Sequence, residues 1–355
     1  MGFLAGLIAA WALLRRGSPY ANVASAVVVH DDAQGSAMET TTRVISSGNG
    51  NGNGNGNGDN KMDRPNSVHV NQFLMKPTPD RDIAQEVQSL GELIHQHVDN
   101  YYHTKPVHAD TARLSAALSG IGFSGSPSSI HSPIPAQRMA ILCRDASTRL
   151  VGLRHVIMRV AFGSIDFESQ HRSGGGRSLP CLLPEPMVPF LRAMAARKEE
   201  AGSGNAPGGK TWDEAMATTA ALREWRRLSA FLLHPERSLR TALPVREAAA
   251  AMQAQELARR LNVFLGHFVD TTAGAAQRQE RHLRAVIMEC ATLGHVLLSH
   301  PSDWRMVVDG DAPSSSSSRR AVVVEAGLDR LADRDGPRHR RSQRVVEPVV
   351  VYCNV

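Results

Sequence analysis

The sequence AGAAQRQERHLRAVIMECATLGHVLLSHPSDW, residues 273–304, decides the fold. Its apolar side chains recur at steps of three and four residues, the spacing of an amphipathic helix with one wide buried stripe. They are Leu283, Val286, Ile287, Cys290, Leu293, Val296 and Leu297. Thr271 and Thr272 can cap the start of this helix, and Pro301, which lacks an amide hydrogen, ends it. Because such a stripe must be covered by other helices, the sequence predicts a helical bundle.

Upstream segments supply the helices that cover this stripe. Asp80–His103 has apolar residues at helical spacing and begins with acidic residues, which the helix dipole favours at that end. Thr211–His234 and Glu247–Asp270 show the same spacing. Their predicted inward side chains include Leu222, Trp225, Leu228 and Leu232 in the first segment, and Met252, Leu257, Leu261, Phe264 and Phe268 in the second. Shorter helices are expected at Asp110–Ser119, around Met139, at Leu150–Val160 and around Leu191.

After Trp304 the sequence changes to short runs of β-branched residues, which favour strands. We predict strands at Arg305–Val308, Ala321–Val324 and Val345–Val351. Gly336–Arg344 is predicted to be a basic, solvated turn, with a nuclear signal or an acidic-lipid patch as alternatives. The predicted fold is therefore mainly α: an irregular bundle of about eight helices with a few short C-terminal β-strands.

The N-terminal 16 residues are predicted to be an anchor or targeting segment. Gly2–Leu14 is apolar and uncharged, but as a helix it would span only about 20 Å, less than the roughly 30 Å hydrocarbon core of a bilayer. With Arg15 and Arg16 behind it, we interpret this run as a short anchor that leaves the remaining chain in the cytosol. A mitochondrial presequence and a cleaved secretory signal are the alternatives.

Three further regions follow the anchor. Residues 17–78 contain the repeat GNGNGNGNGNG and are predicted to be a disordered linker, because Gly and Asn cannot bury apolar surface. Residues 79–304 form the helical domain. Residues 305–355 form a small β or irregular extension that packs on it.

Charge and cysteine content argue against two classes of function. The net charge of +6 over 355 residues is mild, and the arginines are interleaved with acidic residues. A nucleic-acid footprint requires basic residues clustered on one element, so no nucleic-acid partner is expected. No two of the four cysteines have the Cys-x-x-Cys spacing of a metal or redox site.

A phosphate-loop pattern, G-x-x-x-x-G-K-T, occurs at residues 204–211. The mechanism of such a loop needs a buried strand before it and a helix after it. The preceding residues are polar and helical in character, so we interpret Gly204, Gly209, Lys210 and Thr211 as a decoy and expect no nucleotide or other cofactor. Thr211 and Glu214 instead fit a helix capping box.

Weak candidates for metal ligands lie on one predicted helix: Glu92, His95, Asp99 and His103. Glu92-x-x-His95 is half of the motif of di-iron helical bundles, and Glu168-x-x-His171 is a second match. No further helix offers inward glutamates, so the favoured interpretation is a polar surface with an Asp99–His103 pair.

The end of the core segment holds a second polar group of residues, His295, His300, Asp303 and Trp304. A histidine near a helix C-terminus interacts favourably with the helix dipole. We expect these side chains to cap and pack the helix. The chain has no Gly-x-Ser-x-Gly element or comparable nucleophile motif, so no catalytic residue is assigned.

Several stretches resemble an uncharacterised family of filamentous-fungal helical proteins. They are VQSLGELIHQHVDNYYH (87–103), LVGLRHVIMRVAFGSID (150–166), LLPEPMVPFLRAM (182–194), the helix around Trp225, and GHVLLSHPSDW (294–304). Members of that family have an N-terminal membrane segment, a variable linker and a helical domain. The resemblance implies this architecture, but it implies no activity and no catalytic residues.

These observations favour a membrane-tethered helical domain that binds another protein without catalysis. The alternative is an enzyme of unknown class that uses the His, Asp and Glu residues on the helix faces. The two hypotheses differ in one structural expectation, since an enzyme requires those side chains to meet in a cleft. The partner and the oligomeric state are left open by the sequence.

Overall fold

The computed structural model describes residues 70–123, 134–170, 180–203, 212–310, 319–333 and 338–354. All of them belong to one compact unit, Asn66–Val355. The described residues include nine α-helices and five β-strands. The predicted fold class, mainly α with a few short C-terminal strands, is confirmed.

The helices, in chain order, are α1 (Asp80–Tyr101), α2 (Thr111–Ser119), α3 (Ala136–Arg144), α4 (Arg149–Ile165), α5 (Phe167–Gln170), α6 (Val188–Ser203), α7 (Trp212–Leu233), α8 (Glu247–Leu265) and α9 (Ala275–Ser299). The strands are β1 (Asp303–Val307), β2 (Arg319–Glu325), β3 (Gly327–Ala332), β4 (Arg338–Val346) and β5 (Val349–Asn354). β1, β3 and β4 form an antiparallel sheet with β3 in the middle, and β2 pairs with β5.

Helix α9 is the core helix, as the stretch at 273–304 predicts. It packs against α1, α4, α7 and α8. Its stripe is buried through Leu283 and Cys290 to Leu297, although Val296 is only half buried. The helix begins after Gly274, whose φ of 74° is left-handed, and no side chain caps it. The predicted caps by Thr271 and Thr272 are therefore wrong, because the left-handed glycine redirects the chain instead.

The C-terminal strands share the main hydrophobic core with the helices. Val322, Val323 and Leu328 belong to the same buried cluster as Leu283 and Ile287. Strand β2 packs directly on α4. The strands therefore complete the cover of the helical core.

Two details of the strand prediction are wrong. Gly336–Arg344 is not a turn, because Arg338–Val346 is strand β4 and pairs with β3. Val345–Val351 is not one strand, because Pro348 separates β4 from β5, which belong to different sheets. A proline cannot donate to a strand ladder, so it divides the run.

Helix α7 turns a different face inward from the one predicted. Leu222 is buried, but Leu228 is 37% exposed and Leu232 is 60% exposed. The buried positions of the last three turns are instead Arg226, Arg227 and Ala230. The guanidinium of Arg226 donates to carbonyl oxygens inside the protein, so the helix turns its leucines outward.

Helix α8 departs from its prediction at one end. Leu257, Leu261 and Phe264 are fully buried, as predicted. Met252 is 74% exposed, because the first turns of α8 pack through the smaller side chains Ala250 and Ala254. Leu228, Leu232 and Met252 are therefore exposed, although the spacing of apolar residues predicts that they are buried.

Close packing between α4 and α9 depends on Gly294. A Cβ at this position would lie 2.8 Å from Cβ and Cγ2 of Ile165. We expect Gly294→Ala to lower the free energy of unfolding by about 1–3 kcal/mol, since overpacking outweighs the gain in helix propensity. Gly163→Ala is the matched control on α4, where the new Cβ meets nothing within 4 Å. It should stabilise by up to about 1 kcal/mol. Urea denaturation measures both, and an unchanged or more stable Gly294→Ala protein would contradict the close packing.

None of the helices in the described part of the chain is both long and apolar enough to cross a membrane. The apolar run Gly2–Leu14 and the Gly/Asn repeat lie outside the described residues.

Candidate functional site

A groove of about 310 Å³ lies beside the carboxyl end of α7. Its two sides are residues 184–186, which begin a 3₁₀ turn, and residues 243–253, which run into the first turns of α8. Leu233 and Pro235 at the end of α7 and His295 of α9 complete the lining. Its volume is at the lower end of the range of ligand pockets. We call it the proline-walled groove.

Four prolines shape this groove: Pro184, Pro186, Pro235 and Pro244. A proline fixes φ and has no amide hydrogen, so it stops a helix and stiffens the chain around it. Pro235 follows the end of α7, and Pro244 lies just before the start of α8. The sides of the groove are therefore short, stiff segments between helices, which keep the recess open.

The inner surface of the groove is held by hydrogen bonds to buried groups. His295 Nδ1 lies 3.2 Å from the carbonyl oxygen of Leu243, to which it donates. Burial lowers the pKa of His295, which keeps the ring neutral. Gln253 Nε2 donates a hydrogen bond of 3.3 Å to the carbonyl oxygen of Leu183 and so links α8 to the segment that contains Pro184. His295 thus supports the groove, and its Nδ1 is committed to the backbone.

Two exposed apolar side chains are sequence neighbours of residues that line the recess. Leu232 adjoins the lining residue Leu233, and Met252 lies between the lining positions Ala249 and Gln253. Leu232 is 60% exposed and Met252 is 74% exposed.

Two side chains of opposite charge lie on the two sides of the groove. Glu185 belongs to the turn on one side, and Arg246 precedes α8 on the other. Both are exposed. Within the described part of the chain, neither makes an ion pair or a side-chain hydrogen bond. Both charges are available to a group that enters the groove.

The predicted metal candidates are spread along the surface of α1. His95 Nε2 lies 3.0 Å from Asp99 Oδ2, and His95 Nδ1 lies 3.6 Å from Glu92 Oε2. Asp99 also accepts from Arg154. His103 lies beyond the helix end, and among the described residues Asp99 pairs with His95 and Arg154, so the predicted Asp99–His103 pair is wrong. No group of three or more potential ligands occurs among the described residues.

Other sequence candidates fall outside the described part of the chain. Gly204, Gly209, Lys210 and Thr211 of the decoy phosphate loop are among them. So is His171, the second residue of the Glu168 half-motif.

The polar residues that follow α9, His300, Asp303 and Trp304, form a buried cluster, but none of their side chains donates to a carbonyl oxygen in the last turn of α9. His300 Nδ1 accepts hydrogen bonds from Trp304 Nε1 and from the amide of Ser302, each with a length of 3.0 Å. Its Nε2 lies 3.2 Å from the carbonyl oxygen of Thr78. Asp303 accepts from Arg226 and Arg223. These hydrogen bonds fix both sides of the His300 ring and both carboxylate oxygens of Asp303, so we assign the cluster to structure.

The sequence analysis missed Arg226, the central residue of that cluster. Its guanidinium donates to the carbonyl oxygens of Leu297, Leu298 and Ser302 and to Asp303 Oδ1. The leucine carbonyls belong to the last turn of α9, where a helix leaves its acceptors unpaired. Arg226 therefore caps the core helix from the side, and the apolar pattern of α7 contains no signal for it.

A second buried network of hydrogen bonds links α1 to α9. Gln279 Nε2 donates to Tyr102 Oη over 2.7 Å, which leaves the tyrosine proton for His97 Nε2 at 3.1 Å. His97 Nδ1 then carries a proton and donates to His282 Nδ1 at 3.0 Å. Burial lowers the pKa of His97 to about 3, with a smaller contribution from His282. The ring is neutral and completes the packing of α1.

One buried carboxyl, Asp166, has an unusual protonation. Burial raises its pKa to about 6, and the Ser169 hydroxyl, which donates to it, acts in the opposite direction. The recess beside it measures about 20 Å³, room for about one water molecule. A substrate needs a larger cavity, so we assign Asp166 to the capping of α5.

No protein-family model matches this chain, and no match was found among curated proteins or solved structures. The resemblance to a fungal helical family therefore stays a prediction. The functional proposal is therefore based on the geometry of the described residues alone.

Proposed function

We propose that this protein is a non-catalytic interaction domain that binds another polypeptide chain at the proline-walled groove. The observation that supports it is the reversed burial of α7. Arg226 and Arg227 are buried, whereas Leu232, the residue before the lining residue Leu233, is 60% exposed. Contiguous exposed apolar side chains around a concavity are typical of protein interaction sites.

The energetics of the exposed side chains favour a partner over an empty surface. Burial of apolar area contributes about 25 cal/mol per Å². Association has to offset the loss of translational, rotational and side-chain freedom. The stiff, preformed sides of the groove keep the ordering cost on this side small, so a few apolar anchors suffice for specific binding.

The proposal also places the domain at a membrane. The apolar run Gly2–Leu14 and the following Arg15 and Arg16 support an N-terminal anchor with the domain facing the cytosol. A mitochondrial presequence is the alternative. Under the anchored arrangement, the linker of residues 17–78 lets the groove search the space near the membrane surface.

A matched pair of surface substitutions tests the groove. Leu232→Asp places a charge beside it, and Val263→Asp does the same on α8 at a site with nearly equal exposure, 57% against 60%. Val263 lies about 15 Å along the helix from the last groove residue, Gln253. Neither side chain is buried, so both variants should fold.

The readout is quantitative capture of cross-linked partners by tagged full-length protein. We expect Leu232→Asp to reduce the recovered partner by about tenfold, because a buried unpaired charge costs more than 1.4 kcal/mol. Val263→Asp should recover as much as the wild-type protein. Equal recovery by Leu232→Asp and the wild-type protein would exclude the groove as the docking site.

A further inference from the structure

A second recess at the end of α7 has a basic lining, and we call it the basic recess. Three arginines and a histidine contribute to it: Arg227, His234, Arg237 and Arg240. None of the described residues that line it is acidic, whereas the proline-walled groove includes Glu185 and the recess beside Asp166 includes three carboxylates. The basic recess shares no lining residue with the groove. Its charge therefore favours an anionic ligand.

Two of these arginines are held in place by backbone oxygens. Arg237 Nη2 donates to the carbonyl oxygen of Leu232 over 2.9 Å, and its guanidinium carbon lies 5.7 Å from the centre of the Phe231 ring. Arg240 Nε donates to the carbonyl oxygen of Leu74 over 3.0 Å. Within the described part of the chain, neither arginine makes an ion pair. A guanidinium has five N–H donors, so each of the two keeps donors for an anion.

The third arginine adds a buried charge. The side chain of Arg227 is 3% exposed and pairs over 3.0 Å with Glu224, whose side chain is 51% exposed. Glu236, the acidic residue next to the basic segment in sequence, does not line the recess. Three arginines against one paired glutamate leave a local excess of positive charge, which raises the concentration of anions at the mouth of the recess.

The backbone of Arg240 is unusual. Its φ of 54° is left-handed, and among the described residues no other residue apart from glycine has a positive φ. Such conformations are uncommon for long side chains, and they cluster at ligand sites. The carbonyl oxygen of Arg240 accepts from the amide of Lys76 over 3.0 Å. The backbone of Arg240 thus ties the segment with Phe73 and Met75 to the connection after α7, and these two segments are opposite parts of the lining.

We propose that the basic recess binds a phosphate group, a function beyond the groove and independent of it. Arginine pairs well with phosphate, because its planar fork donates to two oxygens at once. The recess measures about 10 Å³, room for about one water-sized group. One phosphate oxygen therefore enters, and the others meet the guanidinium groups at the mouth. Phe73, which is 42% exposed, offers an apolar contact to a lipid that carries the phosphate. Inorganic phosphate is the other source.

Isothermal titration calorimetry of the full-length protein in detergent, at constant ionic strength, tests this site. The probes are inorganic phosphate and a short-chain phosphatidic acid, with short-chain phosphatidylcholine as the uncharged control. We expect saturable binding of phosphate that Arg237→Gln and Arg240→Gly each weaken by about tenfold, because each removes a charge-assisted hydrogen bond. Glycine suits the left-handed φ at position 240, and Arg237 is exposed, so both variants should fold. Arg138→Gln, which removes an exposed arginine of α3, should bind as the wild-type protein does.

The two probes distinguish the sources of the phosphate. Tighter binding of the short-chain phosphatidic acid assigns the site to an acidic lipid, and equal affinities assign it to free phosphate. Both results support a phosphate site. Three results would overturn it: no saturable binding of either charged probe, equal binding of phosphatidylcholine and phosphatidic acid, or wild-type affinity in both the Arg237 and the Arg240 variants.

Discussion

Replacing Arg226 by alanine is expected to lower the free energy of unfolding by about 3–5 kcal/mol, the cost of removing one partner of a buried ion pair. The side chain is 3% exposed and donates to three carbonyl oxygens and to Asp303. Without it, the last carbonyls of α9 lose a donor inside the protein. Among the described residues, Asp303 then keeps one ion-pair partner, Arg223, whose Nε lies 2.6 Å from Asp303 Oδ2.

Two further variants separate this effect from a general loss of positive charge. Arg259→Ala removes an arginine that is 65% exposed and pairs with Glu256 on the surface of α8. Such exposed pairs contribute little to stability, because water screens the two charges. Arg226→Lys keeps the charge but cannot reach four acceptors with one ammonium group, so we expect an intermediate loss. Chemical denaturation measures all three, and a loss in Arg226→Ala no larger than that in Arg259→Ala would show that the cluster does not support α9.

Arg226 also marks the limit of hydrophobic periodicity as a guide. The spacing of apolar residues correctly predicts the buried face of α9, because the side chains from Leu283 to Leu297 pack against other helices. On α7 the same rule predicts that Leu228 and Leu232 are buried, although both are exposed. The orientation of α7 is set by acceptors at the end of α9, about 70 residues further along the chain. A pattern within one helix contains no information about those acceptors.

The C-terminal strands show a related limit. β4 has the sequence RHRRSQRVV, whose charge favoured a solvated turn. The buried carboxylate of Asp329 in β3 accepts from Arg305, Arg344 and Ser342. Cross-strand pairing thus neutralises part of the basic run and makes the strand stable. Only the register between β3 and β4 reveals that pairing.

The groove could be predicted only in part. Its prolines are visible in the sequence as helix boundaries at residues 184, 235 and 244. They come from two connections, one before α6 and one between α7 and α8, and their meeting around His295 depends on the packing of α7 and α8 against α9. The exposure of Met252 follows from the same packing. The sequence therefore contains the prolines of the site, whereas tertiary structure brings them together.

Acidification from pH 7 to pH 5 is expected to destabilise the folded protein strongly through three buried histidines. Burial lowers the pKa of His97 to about 3 and those of His155 and His300 to about 4. In the unfolded chain a histidine has a pKa near 6.5. Between about pH 4 and 6.5 the unfolded state therefore binds more protons, so the free energy of unfolding falls as the pH falls.

The hydrogen bonds explain why these rings stay neutral. His300 Nδ1 accepts two hydrogen bonds, from Trp304 and from the Ser302 amide, and a proton there would break both. His155 Nδ1 donates to the carbonyl oxygen of Val323, and its buried Nε2 has no partner for a second proton. The charged form of either ring would leave a buried donor unsatisfied.

One group acts in the opposite direction. The pKa of Asp166 is raised to about 6 by burial, so the folded state holds this proton more tightly and gains stability as the pH falls from 6 to 4. Each extra proton corresponds to about 1.4 kcal/mol per pH unit. Three histidines against one aspartate give a slope of about 2.7 kcal/mol per pH unit in favour of neutral pH, and His295, whose pKa burial also lowers, acts in the same direction.

Urea denaturation at pH 7, 6 and 5 and constant ionic strength measures this slope. His97→Gln should reduce it by about one proton, since the neutral amide does not titrate. Tyr102→Phe removes the hydrogen bond to His97 Nε2 but leaves the ring buried, so stability should fall at every pH while the slope persists. A slope reduced by about one proton in Tyr102→Phe would mean that the hydrogen bond, and not burial, holds the pKa of His97 low. A wild-type protein equally stable at pH 5 and 7 would contradict neutral buried histidines altogether.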